Sequence, residues 1–326
     1  MDRKKIVVLA TGGTIAGVAA LRSDNLVYKV AQLGIVDLLG ALPDLAQFPL
    51  EVLSEQVAQV DSKDMEFSVW QQLVLRCRHW LERDDVQGLV VTHGTDTLEE
   101  TAYFLQTVLA PGKPIVLTCA MRPASSIGAD GPQNLMDALI VAAHSGARGV
   151  VAVCAGVIHS ALDVQKVHTW RLDAFSSGDA GFLGQVMRGS VYLSRTWPRN
   201  SIVLSRNEVE KVATQATWPR VEIVMSYAGA NAATVDALVA PELAHRFGAA
   251  PVRGLVVAAT GNGSVHHELE TALIRAQAAG VRVVRATRCP WGLVASVNNQ
   301  AIPDARGLSA VKARVEMMLE LLLTPQ

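Results

Sequence analysis

The sequence predicts an α/β protein with a large N-terminal doubly wound, mostly parallel sheet domain and a second, smaller α/β domain. Three observations carry that prediction. Seven strand-length runs, at 5–10, 88–92, 114–119, 149–154, 221–227, 254–260 and 281–286, are mostly continuous in apolar residues, as strands covered on both faces are. Amphipathic helical patterns lie between most of them, for example Thr97 to Leu109 and Glu268 to Ala279, which is the alternation of βα units. Between about 194 and 219, Arg, Asn, Ser, Trp and Pro replace the apolar runs. That stretch reads as a linker between an N-terminal catalytic domain, 1–193, and a C-terminal domain, 220–326.

Half of the 326 residues are apolar, which supplies a sizeable core. A formal charge of −1, without a long basic block, argues against nucleic acid or an anionic membrane as the main partner, so a small molecule is expected. No apolar stretch reaches bilayer-spanning length. Met1-Asp2-Arg3-Lys4-Lys5 has the charge of a signal n-region, but the apolar run after it stops at Thr11-Gly12-Gly13 and reads as a strand. The expected location is cytoplasmic, or periplasmic if a leader has been removed.

The first strand, Ile6 to Ala10, runs into Thr11-Gly12-Gly13-Thr14-Ile15-Ala16-Gly17. The glycines permit a sharp turn and close approach of a ligand, while Thr11 and Thr14 bring hydroxyls to one small volume. Neither phosphate motif fits. A dinucleotide fingerprint needs glycine where Thr14 stands, and a P-loop needs Lys-Ser or Lys-Thr where Val18-Ala19 stand. On this stretch alone the turn is equally readable as structural or chemical.

Residues 18–32 hold Ser23, Asp24, Asn25, Tyr28 and Lys29, too polar and irregular for core. They read either as a lid over the turn or as a surface hairpin in which the Tyr28 ring packs. The second apolar strand ends in Thr92-His93-Gly94-Thr95-Asp96-Thr97, with three hydroxyls, an imidazole and a carboxylate where open α/β sheets bind ligands. Asp96 also suits the N-cap of the following helix.

The later elements carry less chemistry. A helix near 133–145 opens after Gly131-Pro132, with proline suited to a first turn. Cys77, Cys119, Cys154 and Cys289 are scattered through apolar surroundings, without zinc-site pairing or disulfide density, and read as reduced core thiols. His266-His267 lacks a third ligand at metal spacing and falls in an exposed first helical turn. Ser309-Ala310-Val311-Lys312 matches a Ser-x-x-Lys pattern, but it opens the terminal helix near 308–322 and reads as an N-cap. No metal site and no cofactor motif are expected.

Ala10 to Gly17, together with Thr92-His93-Gly94-Thr95-Asp96-Thr97-Leu98-Glu99-Glu100-Thr101-Ala102, resembles the two signatures of the bacterial-type L-asparaginase family, which includes the glutaminase-asparaginases. The resemblance runs on through Ala120-Met121-Arg122-Pro123, Ala129 to Leu135, Asp163-Val164-Gln165-Lys166 and Gly261-Asn262-Gly263, in the family's order. It implies an amidohydrolase that converts L-asparagine to L-aspartate and ammonia through a threonine acyl-enzyme, without metal or cofactor. Thr11 is matched to the nucleophile, Tyr28 to the lid tyrosine that assists it, and Thr95, Asp96 and Lys166 to the second catalytic group. A threonine hydroxyl is a poor nucleophile at neutral pH, so the chemistry needs such helpers.

The resemblance also implies a substrate site of Ser62 for the α-carboxylate, Asp96 for the α-ammonium, and Lys63, Ala120 and Ser264 around them. Lys63 departs from the Gln or Glu common after the serine, and Ser264 stands where some members have asparagine. The stretch from Cys289 to Ile302 differs where members place an acid that reaches a neighbouring subunit. A homotetramer built from intimate dimers is implied. Glutaminase-asparaginase activity is the alternative within the same chemistry, because one methylene is weak discrimination. From another class comes a silent amino-acid-binding module, which predicts a broken nucleophile or lid.

Overall fold

The computed structural model describes residues 3–43, 45–198, 203–295 and 301–324. Residues 199–202 of the expected linker and 296–300 of the stretch between Cys289 and Ile302 lie outside the described residues. The chain divides into two compact units, Met1–Ala213 and Thr214–Gln326.

The first unit is built on an eight-stranded sheet: β1 Lys5–Gly12, β2 Glu51–Val60, β3 Val86–Thr92, β4 Pro114–Thr118, β5 Gly149–Cys154, β6 Val157–Ser160, β7 Gly184–Met187 and β8 Ser190–Leu193. Its spatial order is β8-β7-β6-β5-β4-β3-β1-β2. The five strands β2, β1, β3, β4 and β5 pair in parallel, and β6 to β8 extend the sheet antiparallel. Ile6 to Leu9, Leu89 to Val91 and Ile115 to Leu117 have no exposed surface, as continuous apolar runs require.

Helices Phe67–Leu81, Leu98–Leu109 and Gly131–Ala143 pack on these strands. Pro132 sits in the first turn of the last of these, where its missing N–H leaves no ladder bond unmade.

Some expectations change. The edge strand β2 and the antiparallel β6 to β8 stand outside the seven runs read from the sequence; β2 has exposed and half-buried residues throughout and includes Glu51, Glu55, Gln56 and Gln59. The stretch 194–219 is not irregular throughout, since Arg206–Thr214 is a helix with Val209, Val212 and Ala213 buried and Glu210 paired to Arg78 at 2.9 Å.

The strand order marks a candidate place for a ligand. From β1 the chain goes to β2 on one side, then returns so that β3 pairs with the other side of β1. The carboxyl ends of β1 and β3 therefore flank a topological switch point, where open sheets leave a crevice for ligands.

The second unit holds a three-stranded parallel sheet of β9 Arg220–Met225, β10 Val252–Ala259 and β11 Arg282–Thr287, in that order. Helices His267–Ala278 and Ala310–Leu323 pack on it. Ser309 caps the latter by accepting from Lys312 N, and His266 caps the former through its ring nitrogen. Cys77, Cys119 and Cys154 are buried free thiols, but Cys289 is exposed, which corrects its reading as a core residue.

Candidate active site

Three turns meet at the switch point, and the turns after β1 and β3 come close because glycines leave out side-chain bulk there. Gly12 and Gly13 have φ of 104° and 84°, a region open to glycine and strained for other residues. A Cβ on Gly13 would lie 2.5 Å from Gly94 Cα, and one on Gly94 would collide with the Ser62 side chain. The turn after β1 therefore rests on the turn after β3, which rests on the turn after β2.

The two threonines of the first turn have different fates. Thr11 is still within β1, is 1% exposed, and donates its hydroxyl to the Thr92 carbonyl at 2.9 Å. Thr14 opens a short 3-10 turn, Thr14–Ala16, and its Oγ1 lies 3.0 Å from the Tyr28 hydroxyl. Tyr28 comes from the segment expected to be a lid or a surface hairpin. It is half-buried, and its hydroxyl meets a threonine of the turn. The geometry thus pairs Tyr28 with Thr14, and Thr11 is spent on the main chain of β3.

After β3, Lys166 Nζ donates to Thr95 Oγ1 at 2.8 Å and to Asp96 Oδ1 at 2.6 Å. Thr95 is buried, Asp96 half-exposed and Lys166 largely covered. Lys166 is carried by a two-residue antiparallel pair with Phe175 and Ser176, outside the main sheet. Asp96 is not the helix cap: Thr97 holds the N-cap position of Leu98–Leu109, without a side-chain cap bond. The Asp96 main-chain N–H donates instead to Ser62 Oγ at 3.1 Å, and Thr97 Oγ1 donates to Ser62 O at 2.7 Å.

Ser62 is buried as the link between the second and third turns. Lys63 is turned outward, 61% exposed, between Asp61 at 2.5 Å and Asp64 at 3.2 Å. The hydrogen bonds to those carboxylates raise its pKa above the ordinary lysine value. Ala120 is buried just beyond β4; a Cβ on Gly131 would lie 2.9 Å from Ile15 and 3.5 Å from the Ala120 methyl. Ser264 belongs to the second unit, where it closes a tight turn by exchanging main-chain bonds with Thr260 at 3.0 and 2.9 Å. In that turn Asn262 Oδ1 accepts from Ala295 N at 2.6 Å.

Sequence reasoning missed how the second turn is braced. His93 Nδ1 lies 2.7 Å from the Gly94 carbonyl, an acceptor only, so Nδ1 carries the proton. Nε2 then accepts from the Thr101 hydroxyl at 2.9 Å, whose oxygen accepts from Trp70 Nε1 at 2.9 Å. Burial lowers the His93 pKa to about 4, so the ring is neutral at physiological pH and braces the turn without titrating. His93 and Thr101 stand within the second motif, but nothing in the sequence points to Trp70.

A family model described as asparaginase, N-terminal, matches residues 5–199, and one described as glutaminase/asparaginase C-terminal domain matches residues 220–325. The chain is 35% identical over 328 residues to L-asparaginase 2 of Bacillus subtilis, covering 99% of this chain and 84% of the relative. It is 35% identical over 327 residues to a glutaminase-asparaginase of Pseudomonas fluorescens, covering 98% and 86%. A crystal structure of a probable cytoplasmic L-asparaginase from Campylobacter jejuni superposes with a TM-score of 0.86 at 33% identity, covering 99% of this chain and 96% of that one.

Proposed function

The chain belongs to the asparaginase family, and from that premise we propose that it hydrolyses the side-chain amide of L-asparagine to L-aspartate and ammonia. The observation that carries the mechanism is the 3.0 Å contact between Thr14 Oγ1 and the Tyr28 hydroxyl. In this reading the nucleophile is Thr14 rather than Thr11, because Thr11 is buried with its proton committed to a carbonyl.

Thr14 Oγ attacks the amide carbon as Tyr28 relays the hydroxyl proton, giving a tetrahedral oxyanion held by main-chain N–H groups of the two turns. The C–N bond breaks, a proton passes to the leaving nitrogen, and ammonia departs from an aspartyl ester on Thr14. Water then attacks the ester carbonyl, and the C–O bond to Thr14 breaks to release L-aspartate. Thr95, held by the Lys166 ammonium at 2.8 Å, orients that water, whose proton passes to the departing Thr14 oxygen, while Asp96 compensates the lysine charge. The half-exposed Asp96 carboxylate retains acceptor capacity for the substrate α-ammonium.

Ser62 stands beside Asp96 to receive the α-carboxylate. The proposal extends to a cytoplasmic homotetramer of two intimate dimers, checked by light scattering and cell fractionation. Among the described residues no helix is long and apolar enough to cross a membrane.

Ammonia release from L-asparagine, L-glutamine and D-asparagine, with Thr14→Ala as control, tests the reaction. Release from L-asparagine that vanishes in the control supports it, and silence on L-asparagine from folded protein overturns it. A glutaminase-asparaginase activity is the second reading, favoured by the Pseudomonas fluorescens relative's name, and the glutamine rate decides it.

A further inference from the structure

We propose that Ser125 is a positioning residue that anchors the hairpin carrying Tyr28, holding the tyrosine hydroxyl at Thr14. The proposal rests on the functional reading above, in which Tyr28 serves Thr14.

The hairpin cannot hold itself. Val18–Ala19 pairs antiparallel with Tyr28–Lys29, with Ala19 opposite Tyr28, and a ladder of two residues is marginal in water. Burial adds little beyond it, because Leu21, Leu26 and Val27 in the connecting residues are 67%, 70% and 71% exposed.

Past Lys29 the chain is tied to the turn after β1, with Ala31 N donating to Gly13 O at 3.2 Å and Gln32 N and Leu33 N to Ala16 O at 2.7 and 3.0 Å. On the Ala19 side the hold comes from the loop that follows Ala120. Ala19 N donates to Ser125 Oγ at 2.8 Å, Ile127 N donates to Arg22 O at 2.7 Å, and Arg22 Nε donates to Ser125 O at 3.3 Å. On the inner side, a Cβ on Gly17 would lie 3.0 Å from the Tyr28 ring and 3.3 Å from Pro123, so the ring lies close to this loop as well.

The loop itself is fixed. Asp130 accepts from Met121 N and Arg122 N at 2.9 Å each, Ser126 Oγ donates to Pro123 O at 2.9 Å, and Arg122 donates to Gly128 O at 3.0 Å. Among these three cross-loop bonds only Ser125 Oγ is a side-chain acceptor. The residue it holds, Ala19, is the direct cross-strand partner of Tyr28.

The test compares wild type, Ser125→Ala and Ser125→Thr by limited trypsin digestion and by asparagine turnover. Cleavage after Arg22 and Lys29 reports hairpin opening, and cleavage after Arg171, exposed in another loop, reports general loosening. Losing one hydrogen bond in Ser125→Ala should speed cleavage after Arg22 and Lys29 roughly fivefold relative to Arg171 and lower kcat, with Ser125→Thr restoring both. Equal acceleration at all three sites, or no change at Arg22 and Lys29, overturns the proposal. A wild type without asparagine turnover would sink the functional reading, and the digestion would still decide whether Ser125 holds the hairpin.

Discussion

The Tyr28 hydroxyl lies 3.0 Å from Thr14 Oγ1, while Thr11, three residues earlier in the same turn, gives its hydroxyl to the Thr92 carbonyl. Removing the phenol should therefore act on Thr14 alone. Tyr28→Phe keeps the ring and should lower kcat by about 10²- to 10⁴-fold, the range of a positioned proton-transfer group, with the thermal midpoint unchanged. Steady-state kinetics and calorimetry on the same preparation check both halves.

The Lys166 ammonium joins Thr95 and Asp96 at 2.8 and 2.6 Å. Lys166→Met should cut turnover about 10²- to 10⁴-fold. Lys166→Arg keeps the charge but spreads it over a planar fork and should rescue only part of the loss. Full activity in Lys166→Met would remove the second group from the mechanism.

Lys63 is held outward between Asp61 and Asp64. Lys63→Gln should change the ratio of asparagine to glutamine turnover by less than about twofold, because selectivity then lies elsewhere in the pocket. A larger change in competition assays would return Lys63 to the substrate's charged end.

His93 makes stability depend on pH with a definite sign. Its folded pKa of about 4 lies below the unfolded value near 6.5, so as pH falls between them the unfolded chain gains a proton that the native state refuses. The contribution is present above about pH 6.5 and declines toward pH 4, by up to about 3 kcal/mol. An NMR titration of the His93 ring should show a midpoint below pH 5, and a midpoint near 6.5 would contradict the burial argument.

Much of the fold is legible in the sequence because central parallel strands are buried on both faces and so must be continuously apolar. Edge strands escape that rule. β2 needs only part of its surface covered, and its Glu55 is paired to Arg76 from the helix Phe67–Leu81, a contact no local pattern announces. The two threonine motifs point to a candidate site only through their resemblance to the family, because the first turn by itself reads equally as structural or chemical.

What the residues do not reveal is which threonine of the first turn faces the tyrosine. Thr11 and Thr14 are separated only by two glycines, and the choice depends on the positive φ of Gly12 and Gly13, which end the strand and let Thr14 begin a new turn. Ser125 is silent for a similar reason, since its role exists only between two loops about a hundred residues apart in sequence.

The central claim is the identity of the nucleophile, and ammonia release by Thr14→Ala and Thr11→Val beside wild type tests it most directly. Thr14→Ala should be silent while folded. Thr11→Val, which forfeits one buried hydrogen bond worth about 1 kcal/mol, should keep turnover within about tenfold of wild type. An active Thr14→Ala beside a silent, folded Thr11→Val would contradict the account.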